Sequence, residues 1–300
     1  MVVTHGSLQR ARGRCALTIG NFDGVHRGHR ALIDRVIAKA REANLTSCVL
    51  TFEPHPREFF AGETAPARIT RLRDKLELMA QAGVEHVHVA RFDARFAALS
   101  AERFIEEILR KSLGVQWLLV GRDFRFGARR IGDLSTLQNR GFVVEAMPDV
   151  QFDGKRVSSS AVRAALAAGD LAGAERLLGH PYTISGRVAH GAKLGRGLGF
   201  PTANIVLRRP PPVAGIFVVE VDDYGHGVAS VGRRPTVNPV PIPLLEVHLF
   251  DHDADLYGEH LRVRFLKKLR DEQKYDGLPA LQAAIARDAR QAREFFLTHG

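Results

Sequence analysis

Cysteine is nearly missing from this sequence, and so are long apolar runs, clustered basic tracts and low-complexity segments; each absence removes a class of protein. Only Cys15 and Cys48 occur among 300 residues. With no CxxC pair and no Cys/His group at ligand spacing, neither a disulfide framework nor a structural zinc site is expected, and a reducing, cytoplasmic setting fits. The N-terminal stretch MVVTHGSLQRARGR has scattered charge and no apolar h-region, and no uncharged apolar run is long enough to span a bilayer. Neither secretion nor a membrane partner is expected. A formal charge of +10 fits a nucleic-acid partner taken alone. The arginines, however, are spread along the whole chain rather than gathered in a stripe or tail, so no nucleic-acid partner is expected, and small anionic substrates such as ATP fit the excess equally well.

What is present reads as two globular domains. The composition, 45% hydrophobic and 25% charged, is that of a folded chain, and its length suits two cores of ordinary size. In the first half, apolar runs at 16–20, 46–52, 85–90, 115–121 and 141–146 predict strands, and helical spacing at 31–43, 71–83 and 100–114 predicts helices between them. Near-continuous apolar strands joined through helices imply a parallel sheet covered on both faces, an α/β doubly wound domain with its ligand site beyond the carboxyl ends of the strands. Two short helices follow from Ser158, the second capped by Asp170 and stopped by Gly179. After Pro181 the pattern becomes strand-like, at 183–191, 215–223, 227–232, 244–251 and 261–269, with Gly/Pro turns and one closing helix at 278–296. That is the signature of a small β-barrel with a C-terminal helix. The boundary is expected near residue 181, giving domains 1–181 and 182–300.

The segment TIGNFDGVHRGHR (18–30) ends the first strand with a glycine-rich turn and enters a helix, placing His26 and His29 three residues apart at the helix start. Free backbone N–H groups and the positive end of the helix dipole favour an anion there, and Gly24 and Gly28 let backbone approach a ligand. Lone histidines in a capped turn are more often solvent-exposed than functional; an HxGH element at the first strand-to-helix turn reverses that preference.

These residues resemble the nucleotidyltransferase superfamily that carries an HxGH element, Rossmann-like in fold, and within it the bacterial bifunctional riboflavin kinases and FMN adenylyltransferases, also called FAD synthetases. TFEPHP (51–56), GRDFRFG (121–127) and VSSSAVR (157–163) stand in the family's order, with Ser160 where Thr is usual. The resemblance implies that His26, His29 and Arg163 act on ATP phosphates, that Gly20, Asn21, Phe22, Gly24, Ser159 and Ser160 line the ATP site, and that Asp123 and Phe124 form part of the flavin or nucleotide wall. FMN's phosphate attacks the α-phosphorus of ATP and is largely dianionic near neutrality, its second pKa being about 6. No general base is then needed, and catalysis reduces to alignment and charge stabilisation.

In the second half, GAKLGRGLGFPTANI (191–205) is glycine-rich and basic, but no GK[ST] follows its glycines, so it is not a Walker A loop. By itself it reads as a connector. Its string is similar to the riboflavin kinase signature, which implies Lys193 and Gly195 at the ATP phosphates and Thr202 and Asn204 at nucleotide and Mg²⁺, both being hard oxygen donors. LLEVHLFDHDADLYGEHLRVRFLKKLRDEQKYD (244–276) resembles the family's next segment, which implies Glu246 as the base and Arg270 as a flavin contact. Strand period puts Glu246, His248 and Phe250 on one face and Leu245, Val247 and Leu249 on the other. Attack by a neutral hydroxyl needs a base, and a carboxylate supplies one. The run SVGRRPTVN (230–238) departs from the usual NIGxRPTF, with Ser230 and Val237 in place of Asn and Phe. The expected function is ATP-dependent phosphorylation of riboflavin to FMN and adenylylation of FMN to FAD, with Mg²⁺. Two alternatives remain open at this point: a second domain reduced to a flavin-binding module, and a basic nucleic-acid-binding regulator without chemistry.

Overall fold

A computed structural model describes residues 1–6, 13–190, 199–234, 242–252 and 255–299. Contacts divide the chain into two compact units, Met1–Pro66 with Leu72–Ser158, and Ala67–Arg71 with Ser159–Gly300.

In the first unit, β1 (Val2–His5), β2 (Cys15–Ile19), β3 (Thr46–Glu53), β4 (His86–Arg91), β5 (Val115–Gly121) and β6 (Val143–Met147) form a sheet in the order β1-β4-β3-β2-β5-β6. Every adjacent pair is parallel. The apolar runs have the expected cause: β2 is buried at all five positions, as a strand covered on both faces must be. Helices α1 (Arg27–Ala43), α2 (Pro56–Ala61), α3 (Leu72–Gln81), α4 (Ala94–Ala97), α5 (Ala101–Arg103) and α6 (Leu134–Asn139) connect the strands. The edge strand β1 was not expected, because VVTH is short and largely exposed and carries no apolar run. The helix expected over 100–114 begins as α5 and continues as a wider turn through Phe104–Ser112, in which the Ser112 hydroxyl donates to the Glu107 carbonyl five residues back. That widening buries Phe104, Ile105, Ile108 and Leu109 together. The chain leaves β2 toward β3 on one side, while β5 flanks β2 on the other. The strand order therefore reverses at β2, and its carboxyl end is where an open α/β sheet binds ligands. A hairpin of β7 (Gln151–Phe152) and β8 (Lys155–Arg156) completes the unit.

The second unit holds α7 (Ser159–Ala167), α8 (Leu171–Leu178), strands β9 (Thr183–Ala189), β10 (Ala203–Val206), β11 (Gly215–Val221), β12 (Gly225–Arg234), β13 (Ile242–Leu249) and β14 (His260–Arg270), and α9 (Leu278–His299). The strands close into a barrel in the order β10-β13-β12-β11-β14-β9. Asp170 caps α8 through Gly173 N–H at 2.8 Å, and Gly179 ends it at φ 83°, as the sequence predicts. Val162, Leu166, Leu171, Ala174 and Leu178 share one core with the barrel residues Phe217, Leu245 and Val263. In packing, α7 and α8 thus go with the barrel, on the far side of residue 181. Periodicity marks a helix's apolar stripe but not the surface it covers. The short segment 67–71 joins the same unit through buried Ile69 and through Arg71, whose Nη1 donates to the Ser185 carbonyl at 2.6 Å. Outside the barrel, α9 covers Val218, Val228 and Phe250 with Ala289 and Ala292.

Candidate active sites

The turn after β2 is built from strained backbone. Phe22 and Val25 have φ of 50° and 40°, alongside Gly24 at 86°. Phe22 is fully buried, with its ring 5.0 Å from that of His29. His26 caps α1: its Nδ1 accepts the His29 N–H at 3.3 Å. One N–H of the helix start is thus taken by this cap rather than open to an anion. The two imidazoles stack with centroids 3.6 Å apart and planes 14° from parallel. Gly28 permits this, because a Cβ there would meet the His26 ring at 3.2 Å. His29 Nδ1 is buried and has no hydrogen-bond partner among the described residues. Its pKa is held well below the ordinary histidine value, first by burial and then by the charges of His26, Lys75 and His55. A neutral imidazole with an unspent polar atom is suited to bind a phosphoryl oxygen by hydrogen bonding rather than by charge.

Around the ends of β3 and β5 the same unit carries a row of aromatic rings. Phe52, Phe92 and Phe96 meet edge to face or tilted, and Phe104 links Phe96 to Phe126. Phe124 stacks on Phe126 at 5.7 Å, so this predicted wall residue ends a larger aromatic surface that the motif alone did not show. Asp123 is exposed and lies 3.7 Å from Arg156. Ser159, Ser160 and Arg163 fall in the second unit, on the first turns of α7. There the Nε of Arg163 donates to the Ala67 carbonyl at 2.6 Å.

In the barrel, β13 places Glu246 directly opposite Asn204 of β10 on one side and Ser230 of β12 on the other. Leu245, Val247 and Leu249 point into the core, as period two requires. Glu246 lines a cavity of about 270 Å³ together with Thr202, Ser230, Arg270, Glu272 and Tyr275. A second cavity of about 80 Å³ is lined by Thr202, Asn204, His252, Asp255 and Tyr257, so Thr202 belongs to both. Asn204 spends its amide nitrogen on the Thr202 carbonyl at 3.3 Å and leaves a buried Oδ1 with no partner among the described residues. Arg270 is fixed by Asp288 of α9 through two bonds of 2.9 and 2.6 Å. The predicted flavin contact therefore presents a locked guanidinium rather than a mobile one. Lys193, Gly195 and Val237 lie outside the described residues. The departure at Ser230 is described: its hydroxyl donates to Glu272, so a polar donor stands where Asn is usual.

Four contributors were not singled out by the sequence: Lys75 and Asp288 lie outside the recognised segments, and His55 and Glu272 lie inside segments 51–56 and 244–276 with no role assigned to them there. His55 and Lys75 surround His29 electrostatically, and Glu272 and Asp288 frame the barrel cavity. Lys75 left one trace, since it falls on the apolar stripe of α3 with Leu72, Leu76 and Met79, where a lysine is out of place.

A helix start carrying two stacked histidines at the reversal point of a parallel sheet, and a barrel site pairing a carboxylate with hydroxyl and amide oxygens, fit a bifunctional phosphoryl- and nucleotidyl-transferase. Comparison with known families makes this specific: residues 8–161 match the FAD synthetase family model and residues 178–296 the riboflavin kinase model. The bifunctional riboflavin kinase/FMN adenylyltransferase of Escherichia coli K12 is 52% identical, with 97% of this chain and 96% of that protein covered. That of Pseudomonas fluorescens is 51% identical, covering 93% and 92%. A solved chain described as a macrolide-efflux protein from Streptococcus pneumoniae superposes with a TM-score of 0.80 at 28% identity, over 98% of this chain and 99% of that one. The chain belongs to the bifunctional riboflavin kinase/FMN adenylyltransferase family, and it phosphorylates riboflavin and adenylylates FMN. Among the described residues no helix is long and apolar enough to cross a membrane.

Proposed function

We propose that the two activities divide near residue 181, that both use ATP with Mg²⁺ in the cytoplasm, and that the residues above divide between them as follows. In the kinase, Glu246 accepts the proton of the riboflavin hydroxyl as that oxygen attacks the γ-phosphorus and ADP leaves. The observation that carries this reading is the register of β13, which sets Glu246 between Asn204 and Ser230 at a cavity it shares with Thr202 and Arg270. The Asn204 Oδ1, buried and unspent, and the Thr202 hydroxyl are hard donors that fit Mg²⁺, which takes few protein ligands. No group of three or more His, Cys, Asp or Glu among the described residues could cage a metal, so the ion would depend on these oxygens and on substrate phosphate. Bound there, Mg²⁺ would neutralise charge on the phosphates.

In adenylyl transfer, His26 and, through its unspent ring nitrogen, His29 hold ATP phosphates at the start of α1, beside the turn of Gly20, Asn21, Phe22 and Gly24. An oxygen of FMN's phosphate attacks the α-phosphorus and pyrophosphate leaves. Ser159, Ser160 and Arg163 are assigned to the phosphates, and Asp123 and Phe124 to the flavin side, on the resemblance of their segments. Lys193 and Gly195 keep their assignment to the kinase nucleotide on the same ground. Incubating the pure protein with riboflavin and ATP, with and without Mg²⁺, and separating the flavins tests the scheme. FMN and then FAD should appear with the ion and neither without it; undiminished turnover in excess chelator would overturn the metal assignment.

A further inference from the structure

Lys75 is only 2% exposed, and burying an ammonium is costly unless it is hydrogen-bonded or paired. Its Nζ donates to the Asn21 carbonyl at 2.7 Å and lies 3.4 Å from Thr51 Oγ1. The Thr51 hydroxyl donates to the same carbonyl at 3.2 Å. That carbonyl opens the turn in which Phe22 and Val25 are left-handed. Such conformations are costly and persist only where surrounding structure over-determines them. Two donors on one carbonyl, at the foot of the turn, are such a determinant.

We propose that Lys75 is a positioning residue for adenylyl transfer: from beneath, its buried ammonium clamps the Asn21 peptide, so holding the turn that presents His26 and His29, and it sets a fixed positive charge behind the nucleotide phosphates. The division of labour is physical. Burial and its neighbours keep His29 neutral, so the imidazoles supply directed hydrogen bonds while the buried ammonium supplies charge, which acts on His29. A preorganised charge that need not move as the reaction proceeds is worth most in a site shielded from water.

The inference rests on assigning adenylyl transfer to the His26–His29 turn, and the experiment separates the two. FAD formation from FMN at varied ATP, and FMN formation from riboflavin, are measured for Lys75→Met, Lys75→Gln, Lys75→Arg and Thr51→Val. Lys75→Met and Lys75→Gln should lose roughly tenfold to a hundredfold in kcat/KM for ATP, with kcat falling as well as KM rising, while riboflavin phosphorylation is kept. Lys75→Arg should recover most of the loss, and Thr51→Val, which leaves the charge in place, should lose only about threefold. Parent-like FAD formation by Lys75→Met, or equal impairment of Lys75→Arg and Lys75→Gln, would overturn the proposal. If Lys75→Met also lost the kinase activity, the comparison of Arg with Gln would still decide. His29→Ala marks the difference between the claims: FAD formation surviving His29→Ala sinks the turn's assignment, whereas its loss there with indifference at position 75 sinks only the role of Lys75.

Discussion

Replacing Glu246 with Gln removes the proposed base while keeping the side chain's size and one acceptor. Loss of a positioned base costs about 10² to 10⁴ in rate, which at about 1.36 kcal/mol per decade is roughly 2.7–5.4 kcal/mol of barrier. The fold should not suffer, because the strand is anchored by Leu245 and Val247, 0% and 1% exposed on the opposite face. The neighbourhood even predicts the sign of the small effect on stability. Glu272 lies folded over Gly232, where a Cβ would come within 1.9 Å of its Oε1. Its pKa is raised first by burial and second by the charge of Glu246, with the Ser230 hydroxyl and Arg270 pulling the other way. A carboxylate whose pKa is raised by folding favours the native state below its ordinary pKa and loses that contribution as pH rises through the native value. Taking away the Glu246 charge relieves part of that loss, so at pH 7 the variant should melt no lower than the parent. The assay is chromatography of flavins after incubation with ATP and Mg²⁺. Supplied with riboflavin, Glu246→Gln should yield almost no FMN or FAD; supplied with FMN, it should make FAD at the parent rate. Near-normal FMN formation would remove Glu246 as base, and an equal fall in both activities of a folded protein would show that the two sites are not separate.

Three further outcomes follow from the same geometry. His29→Ala should abolish FAD formation and leave riboflavin phosphorylation intact; parallel loss of both, with unchanged circular dichroism, would contradict the two-site assignment. A fragment starting at Ser159 should be more stable in urea than one starting at Pro181, because the shorter one strips Val162, Leu166, Leu171, Ala174 and Leu178 from the barrel's core; coincident unfolding midpoints would refute that packing. His88 is buried, with its pKa lowered to about 4 by burial and then by His86, against about 6.5 in an unfolded chain. The unfolded state therefore binds more protons in that window, so stability should drop as pH falls from about 6.5 through about 4, and His88→Gln should flatten the urea midpoint across it.

Most of the fold could be read from period and punctuation, and the exceptions share a cause. Strands β2 to β5 and the alternation of β13 were legible because burial on two faces or one leaves a distinct mark on composition, and β6 kept an apolar run although none of its residues is buried. The edge strand β1 was not, since exposure erases that mark, and the partner of α7 and α8 was not, since an amphipathic stripe says only that something covers it. The sites divide in the same way. Residues that lie together in one segment, such as His26 and His29, or Thr202 and Asn204, form strings that a reader can recognise. Lys75 and Asp288 reach their sites from other elements, each with no motif around it, while His55 and Glu272 lie inside recognised segments whose strings do not say which of their residues reach a site.

That division matters for chemistry, because the distant residues set the charge of each site and the two sites need opposite settings. FMN's phosphate arrives ionised, so the first site has to gather anions, and its surroundings are two stacked imidazoles, a third histidine and a buried ammonium acting on His29. A riboflavin hydroxyl arrives neutral, so the second site has to take a proton, and there two carboxylates, Glu246 and Glu272, share a cavity in which Arg270 is already committed to Asp288. Asp288, 5% exposed on α9, takes two of that guanidinium's hydrogen bonds, so the closing helix fixes a charged group of the barrel cavity as well as covering the barrel.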